Sequence, residues 1–185
     1  DVDKTIIKYA GVGFTVNNVL TVQNVTFSDM SITNHGNLTA DNTVFSYGMG
    51  SRSDSYGNNY GGAIYSPESY SNAHVTLNNC TLSNNFAIYG GAIYMGNGYL
   101  EVIDTIFNSN MAYNYGGAIA CENTRSVIVS KSKFFNSVSM DDAGGAIYLR
   151  SSPFTGNGLE FANSSSTFGS AITSLKSDVS LSNIT

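Results

Sequence analysis

Apolar and polar residues alternate along this chain in short runs that return at a nearly fixed interval. LTVQNVTF (20–27), LTADNTVF (38–45), VTLNNCTL (75–82), LEVIDTIF (100–107) and VIVSKSKF (127–134) share one template, which LEFANSSS (159–166) and the truncated VSLSNIT (179–185) follow in part. Its first, third and eighth places are apolar, and its fifth is polar and mostly Asn. Alternation at period two gives a strand with one inward side, and the polar fifth residue marks a corner before a second short strand. A second motif runs in phase with the first: YGGAIY at 60–65 and 89–94, YGGAIA at 115–120, AGGAIY at 143–148 and FGSAIT at 168–173. Its second Gly, replaced by Ser170 in the last copy, recurs at spacings of 29, 26, 28 and 25 residues.

Helices compete poorly for these segments, which carry β-branched and aromatic residues at period two and are interrupted by Gly and Asn. A unit of about 25 residues with two or three short strands, repeated along an axis, predicts an all-β chain folded as a single parallel β-helix of about seven coils. One domain over 1–185 is expected, with 1–18 as a cap or incomplete coil and 46–60 as an inserted loop. In GGAIY the alternation sends Ile64, Ile93, Ile119, Ile147 and Ile172 inward and leaves Ala63 and Tyr65 on the other face. The paired glycines serve a corner that needs positive φ or close backbone approach. The polar column of Asn24, Asn42, Asn79, Asp104, Lys131, Asn163 and Asn183 is expected to stack as an inward ladder of side chains. Asp104 and Lys131 then compensate one another.

Only 11% of the residues are charged, against ~25% in ordinary soluble domains, so neutral polar groups do the solvating. The net charge of −5, with eight Lys and Arg spread along the chain, argues against a nucleic-acid partner. No run of 18 apolar residues is present to insert into a membrane, and DVDKTIIKYAGVG lacks the plan of a signal peptide. The chain reads as a piece of a longer protein, its last template copy stopping short, so the remainder of that protein or a neighbouring subunit is the expected cover for the C-terminal end.

GGAI coupled to FNSN at Phe107–Asn110 resembles the G-G-A-I and F-x-x-N repeats of chlamydial polymorphic outer membrane proteins. The longer cadence GGAIY…VTLNNCTLSNNFA…GGAIY resembles adhesin-like surface proteins of methanogenic archaea. The likeness covers about residues 19–185. It departs from the chlamydial pattern at FSDM (27–30), FFNS (134–137) and FANS (161–164), which lack the final Asn. Both resemblances imply right-handed parallel β-helical stalks displayed at the cell surface; such motifs specify fold more than ligand.

Candidate chemistry changes this picture little. Polysaccharide lyases, hydrolases and epimerases on β-helices need clustered carboxylates or acidic calcium ligands. The nearest approach is Glu122 with Arg150, which occupy equivalent places in neighbouring repeats and read as a surface ion pair, and Asp141 with Asp142, which read as a solvated turn. His35 and His74 lie beside turns without a ligand set, Cys80 and Cys121 fall out of phase and predict free thiols, and no cofactor or metal is expected. N-x-S/T sequons begin at Asn24, Asn37, Asn79, Asn163 and Asn183; an inward ladder would block all but Asn37, in the turn TNHGNL. The tyrosines Tyr65, Tyr94 and Tyr148 form one column, beside a loop carrying Tyr56 and Tyr60. They either stack on sugar rings or stiffen the rod. The expected function is a non-catalytic, cell-surface, adhesin-like domain whose partners are extracellular glycans or another cell's surface. The alternatives are a structural rod of the envelope and a polysaccharide-active enzyme.

Overall fold

The computed structural model describes residues 5–8, 13–52 and 57–185. Strands and corners make up the described residues, and no helix occurs among them. One coil shows the plan: His74–Asn78, Thr81–Ser83, Phe86–Tyr89 and Ile93–Met95 follow one another around the axis. Each pairs in parallel with its counterparts in the coils before and after, so that His74–Asn78 lies between Asn37–Asp41 and Tyr99–Ile103, and Ile93–Met95 between Ile64–Ser66 and Ile119–Glu122. The result is a parallel β-solenoid of about five turns. Counting template copies gives seven because the first and last coils have some strands but not all; the wall of Phe86–Tyr89 holds five strands, against seven in that of Ile93–Met95.

The core follows from the alternation. Ile64, Ile93, Ile119 and Ile147 stack in register and are wholly buried, with Ile172 half-buried at the end of the column. Phe27, Phe45, Leu82, Phe107 and Phe134 form a second buried column with parallel ring stacks, Phe107 on Phe134 at 4.7 Å among them. Ala63, expected opposite Ile64, is buried in the same core, as are Ala92, Ala118 and Ala146. The chain is still turning at Ala, so strict alternation begins only at Ile.

The two glycines of the motif divide the work of that corner. Gly61, Gly90, Gly116 and Gly144 have φ of 54°, 65°, 64° and 69°, in the left-handed region that glycine enters freely. The second glycine permits contact between coils: a Cβ on Gly91 would lie 2.1 Å from the Gly117 carbonyl oxygen.

The polar template column is the principal correction. Asn24, Asn42, Asn79, Asp104, Lys131 and Asn183 all have positive φ, between 47° and 58°, and none is buried. Asn and Asp recur there because they tolerate the left-handed conformation, and their side chains lie at the surface, where the expected stacking survives in one bond, from Asn42 Nδ2 to Asn24 Oδ1. Asp104 and Lys131 are neighbours in the column but form no ion pair, since exposed charges need none. Asn163 belongs to a different corner, next to Asn136, because the coil starts at Phe154 and Gly158 takes the slot after Lys131. Burial therefore gives no reason to exclude the sequons at Asn24, Asn79, Asn163 and Asn183. Asn37 is exposed too, at the start of Asn37–Asp41 rather than in a turn.

Inward polar ladders do exist, at other positions. Thr43, Cys80, Thr105 and Ser132, one place after the corner, are buried and donate to the carbonyls of Asp41, Asn78, Ile103 and Ser130. The fourth place of the F-x-x-N pattern forms the other ladder. Asn110 Oδ1 accepts from both the backbone N–H and the Nδ2 of Asn85, while the two Nδ2 groups donate to the Leu82 and Phe45 carbonyls. Residues 5–8 form a strand on Val25–Ser28, and within the 46–60 loop Ser51–Arg52 pairs antiparallel with Asn59–Tyr60.

Candidate functional site

The tyrosine column gathers at the corner where the GG motif turns the chain. Tyr94 and Tyr148 are 4% and 2% exposed, which contradicts their reading as a solvent-facing stripe; Tyr60 and Tyr65 are half-buried. A second tyrosine row covers them, made by the first residue of YGGAIY: Tyr60, Tyr89 and Tyr115 align on successive coils with ring stacks at 5.0 and 5.7 Å. The rows interlock, Tyr60 meeting Tyr94 edge-on at 4.8 Å and Tyr115 stacking on Tyr148 at 4.4 Å, where Ala120 leaves room between coils. Tyr56 lies outside the described residues.

Beside this cluster Glu122 and Arg150 are register partners, as their equivalent places implied. Their environment differs from a surface pair. The Glu122 side chain is 10% exposed, and its Oε2 accepts from Arg150 Nη2 at 2.8 Å and from the Tyr94 hydroxyl at 3.2 Å. Burial raises the Glu122 carboxyl above its ordinary range, an effect that Arg150 offsets only in part. Burial, with Glu122 alongside, also pushes the Tyr94 hydroxyl far up. Tyr115 is pushed up to about 12, first by its hydrogen bond to Asp142 and then by burial. Asp142 thus holds a tyrosine, while Asp141 is exposed. A carboxylate already holding a guanidinium and a phenol, with little solvent access, is arranged to clamp neighbouring coils together.

A different aromatic group faces solvent. His35 stacks on Tyr70 with ring centroids 3.8 Å apart and planes within 6°, and His74 stacks on Tyr99 at 4.4 Å and 14°. Neither tyrosine shares the template slot of the other, so repetition alone could not single them out. The signal available was proximity in register: His74 stands opposite both Asn37 and Tyr99. Asn17 Oδ1 lies 3.1 Å from His35 Nδ1, and burial lowers the His35 pKa below 6.5. Among the described residues no three His, Cys, Asp or Glu side chains are grouped to hold a metal ion, and Cys80 and Cys121 are free, buried thiols.

Residues 79–96 and 104–122 match the model of the Chlamydia polymorphic membrane protein repeat. The two segments are successive coils from the left-handed corner through the GG turn, and they include Asn85, Asn110 and Gly91. No curated protein and no solved structure matches the chain.

Proposed function

We propose that the chain is a non-catalytic segment of a cell-surface protein, an adhesin-like solenoid that holds binding surfaces away from the cell. The observation that carries this reading is the match of two successive coils to a membrane-protein repeat of Chlamydia. The scarcity of charge fits it, because a surface of neutral hydroxyls and amides suits contact with polar, weakly charged partners. Several weak sites on one rod, or many rods on one surface, add up through avidity. The ligand class proposed is extracellular glycan or another cell's surface.

Burial of Tyr94 and Tyr148 favours a second reading for that column, as an internal brace of the rod. Beads coated with the protein test the main proposal. Adhesion to cultured cells well above albumin-coated beads is the expected result, and equal adhesion would overturn it. Cleavage of polyuronates or other polysaccharides by the soluble protein would favour an enzyme instead, with Glu122, Arg150, Asp141 and Asp142 as the residues to pursue.

A further inference from the structure

We propose that the corner bearing His35, Tyr70, His74 and Tyr99 is a carbohydrate-binding platform on which pyranose rings stack. The inference rests on the reading of the chain as a surface binder and gives that reading a location. Two of the platform's rings reach solvent: Tyr70 is 39% exposed and His74 is exposed, with His35 and Tyr99 half-buried behind them, whereas at the GG corner Tyr94 and Tyr148 are buried and Tyr60, Tyr65, Tyr89 and Tyr115 half-buried.

The rings are ordered in advance of any ligand. Each histidine is fixed against a tyrosine of a neighbouring coil or loop by a near-parallel stack. The loop carrying Tyr70 is closed by its own backbone bonds, Tyr70 N–H to the Pro67 carbonyl at 3.2 Å and Ala73 N–H to the Tyr70 carbonyl at 3.1 Å. Asn97 ties it to the next coil by donating to the Glu68 carbonyl at 3.3 Å. A ligand that stacks here therefore orders little of the protein, which favours weak polar ligands.

The rim selects the ligand class. Asn17 borders His35 and Asn97 lies two residues before Tyr99, while Thr21 and Thr39 present exposed hydroxyls along the adjoining wall. Flat ring faces bordered by amides and hydroxyls match the apolar face and hydroxyl edge of a sugar. Burial lowers the His35 pKa, which favours the uncharged ring on this face.

The test is an array of immobilised oligosaccharides built from neutral hexoses and N-acetylhexosamines, probed with the whole chain. Three proteins are compared: the parent, a Tyr70→Ala/Tyr99→Ala double variant, and Tyr113→Ala, which removes an exposed tyrosine from a different wall. Circular dichroism checks that each retains its strands. The expected result is parent binding, a loss of roughly tenfold or more in the double variant, and no loss in Tyr113→Ala. Equal binding by the double variant overturns the platform and leaves the binder reading intact. If the parent binds no glycan yet adheres to cells, the platform falls alone; if it does neither, both readings fall.

Discussion

The corner column of Asn24, Asn42 and Asn79 and the interior column of Asn85 and Asn110 put one side chain to two uses. At the corner, asparagine is present for its backbone: φ near 50° is tolerated, and the amide stays at the surface, where only Asn42 meets a neighbour of the column, Asn24. In the interior it is present for its amide, which donates to two strand carbonyls and accepts from two N–H groups of the turn. The lesson is that recurrence at a fixed slot reveals a shared constraint without revealing whether that constraint is conformation or burial.

Removing an interior amide should produce the largest effect. Asn110→Ala leaves the Asn85 backbone N–H and one Nδ2 hydrogen of Asn85 without their acceptor, and should cost roughly 2 to 6 kcal/mol in urea denaturation, from about 1 to 3 for each orphaned group. At the corner, Asn79→Ala puts a Cβ-bearing residue without a compensating amide into the left-handed region and should cost about 1 to 2 kcal/mol, while Asn79→Gly should be close to neutral. Equal losses at 79 and 110 would erase the distinction between the columns.

Ser137 sharpens the comparison from the other side. It follows Asn110 in the ladder, and its buried hydroxyl has no hydrogen-bond partner. Ser137→Asn should extend the ladder by one rung and raise stability by about 1 kcal/mol; a lower unfolding midpoint would show that the interior cannot accept another amide.

The contrast extends to charge. Glu122 is buried, and its folded-state pKa is raised above the ordinary 4.5, so the native state binds its proton more tightly than the unfolded chain does. Its contribution to stability is then present in acid and is lost as pH rises through the raised value. Glu122→Gln should flatten that part of the stability profile, and an unchanged slope would contradict the burial argument. Asp104 and Lys131, exposed and unpaired, should give the smallest signal: Asp104→Asn and Lys131→Ala should add within about 0.5 kcal/mol.

Fold was legible because period-two alternation and the GGAI repeat both constrain the backbone, and a parallel stack repeats any backbone constraint on every coil. The inward Ile column, the two glycine roles and the Glu122–Arg150 register follow from that repetition. Orientation at corners did not, because alternation lapses where the chain turns; Ala63 and Asn24 were misplaced for this reason. The tyrosines were read as exposed because their cover, Tyr89 and Tyr115, comes from the preceding strand of each coil and lies on a different wall. The His35–Tyr70 pair was hidden more deeply, since it joins residues of unlike template position through a loop that has no counterpart in other coils.

The stacking of coils also determines how this molecule responds to force. Its backbone hydrogen bonds run along the axis from every wall at once: Asn79 to Ile103, Ser109 to Phe135 and Ala92 to Ala118 are examples from three of them. A pull along the axis must stretch all the bonds of one interface together, whereas a pull on a chain end peels them one after another. The same protein is therefore strong as a strut under axial tension and weak at a frayed end, and its lifetime under load is set by where the force is applied.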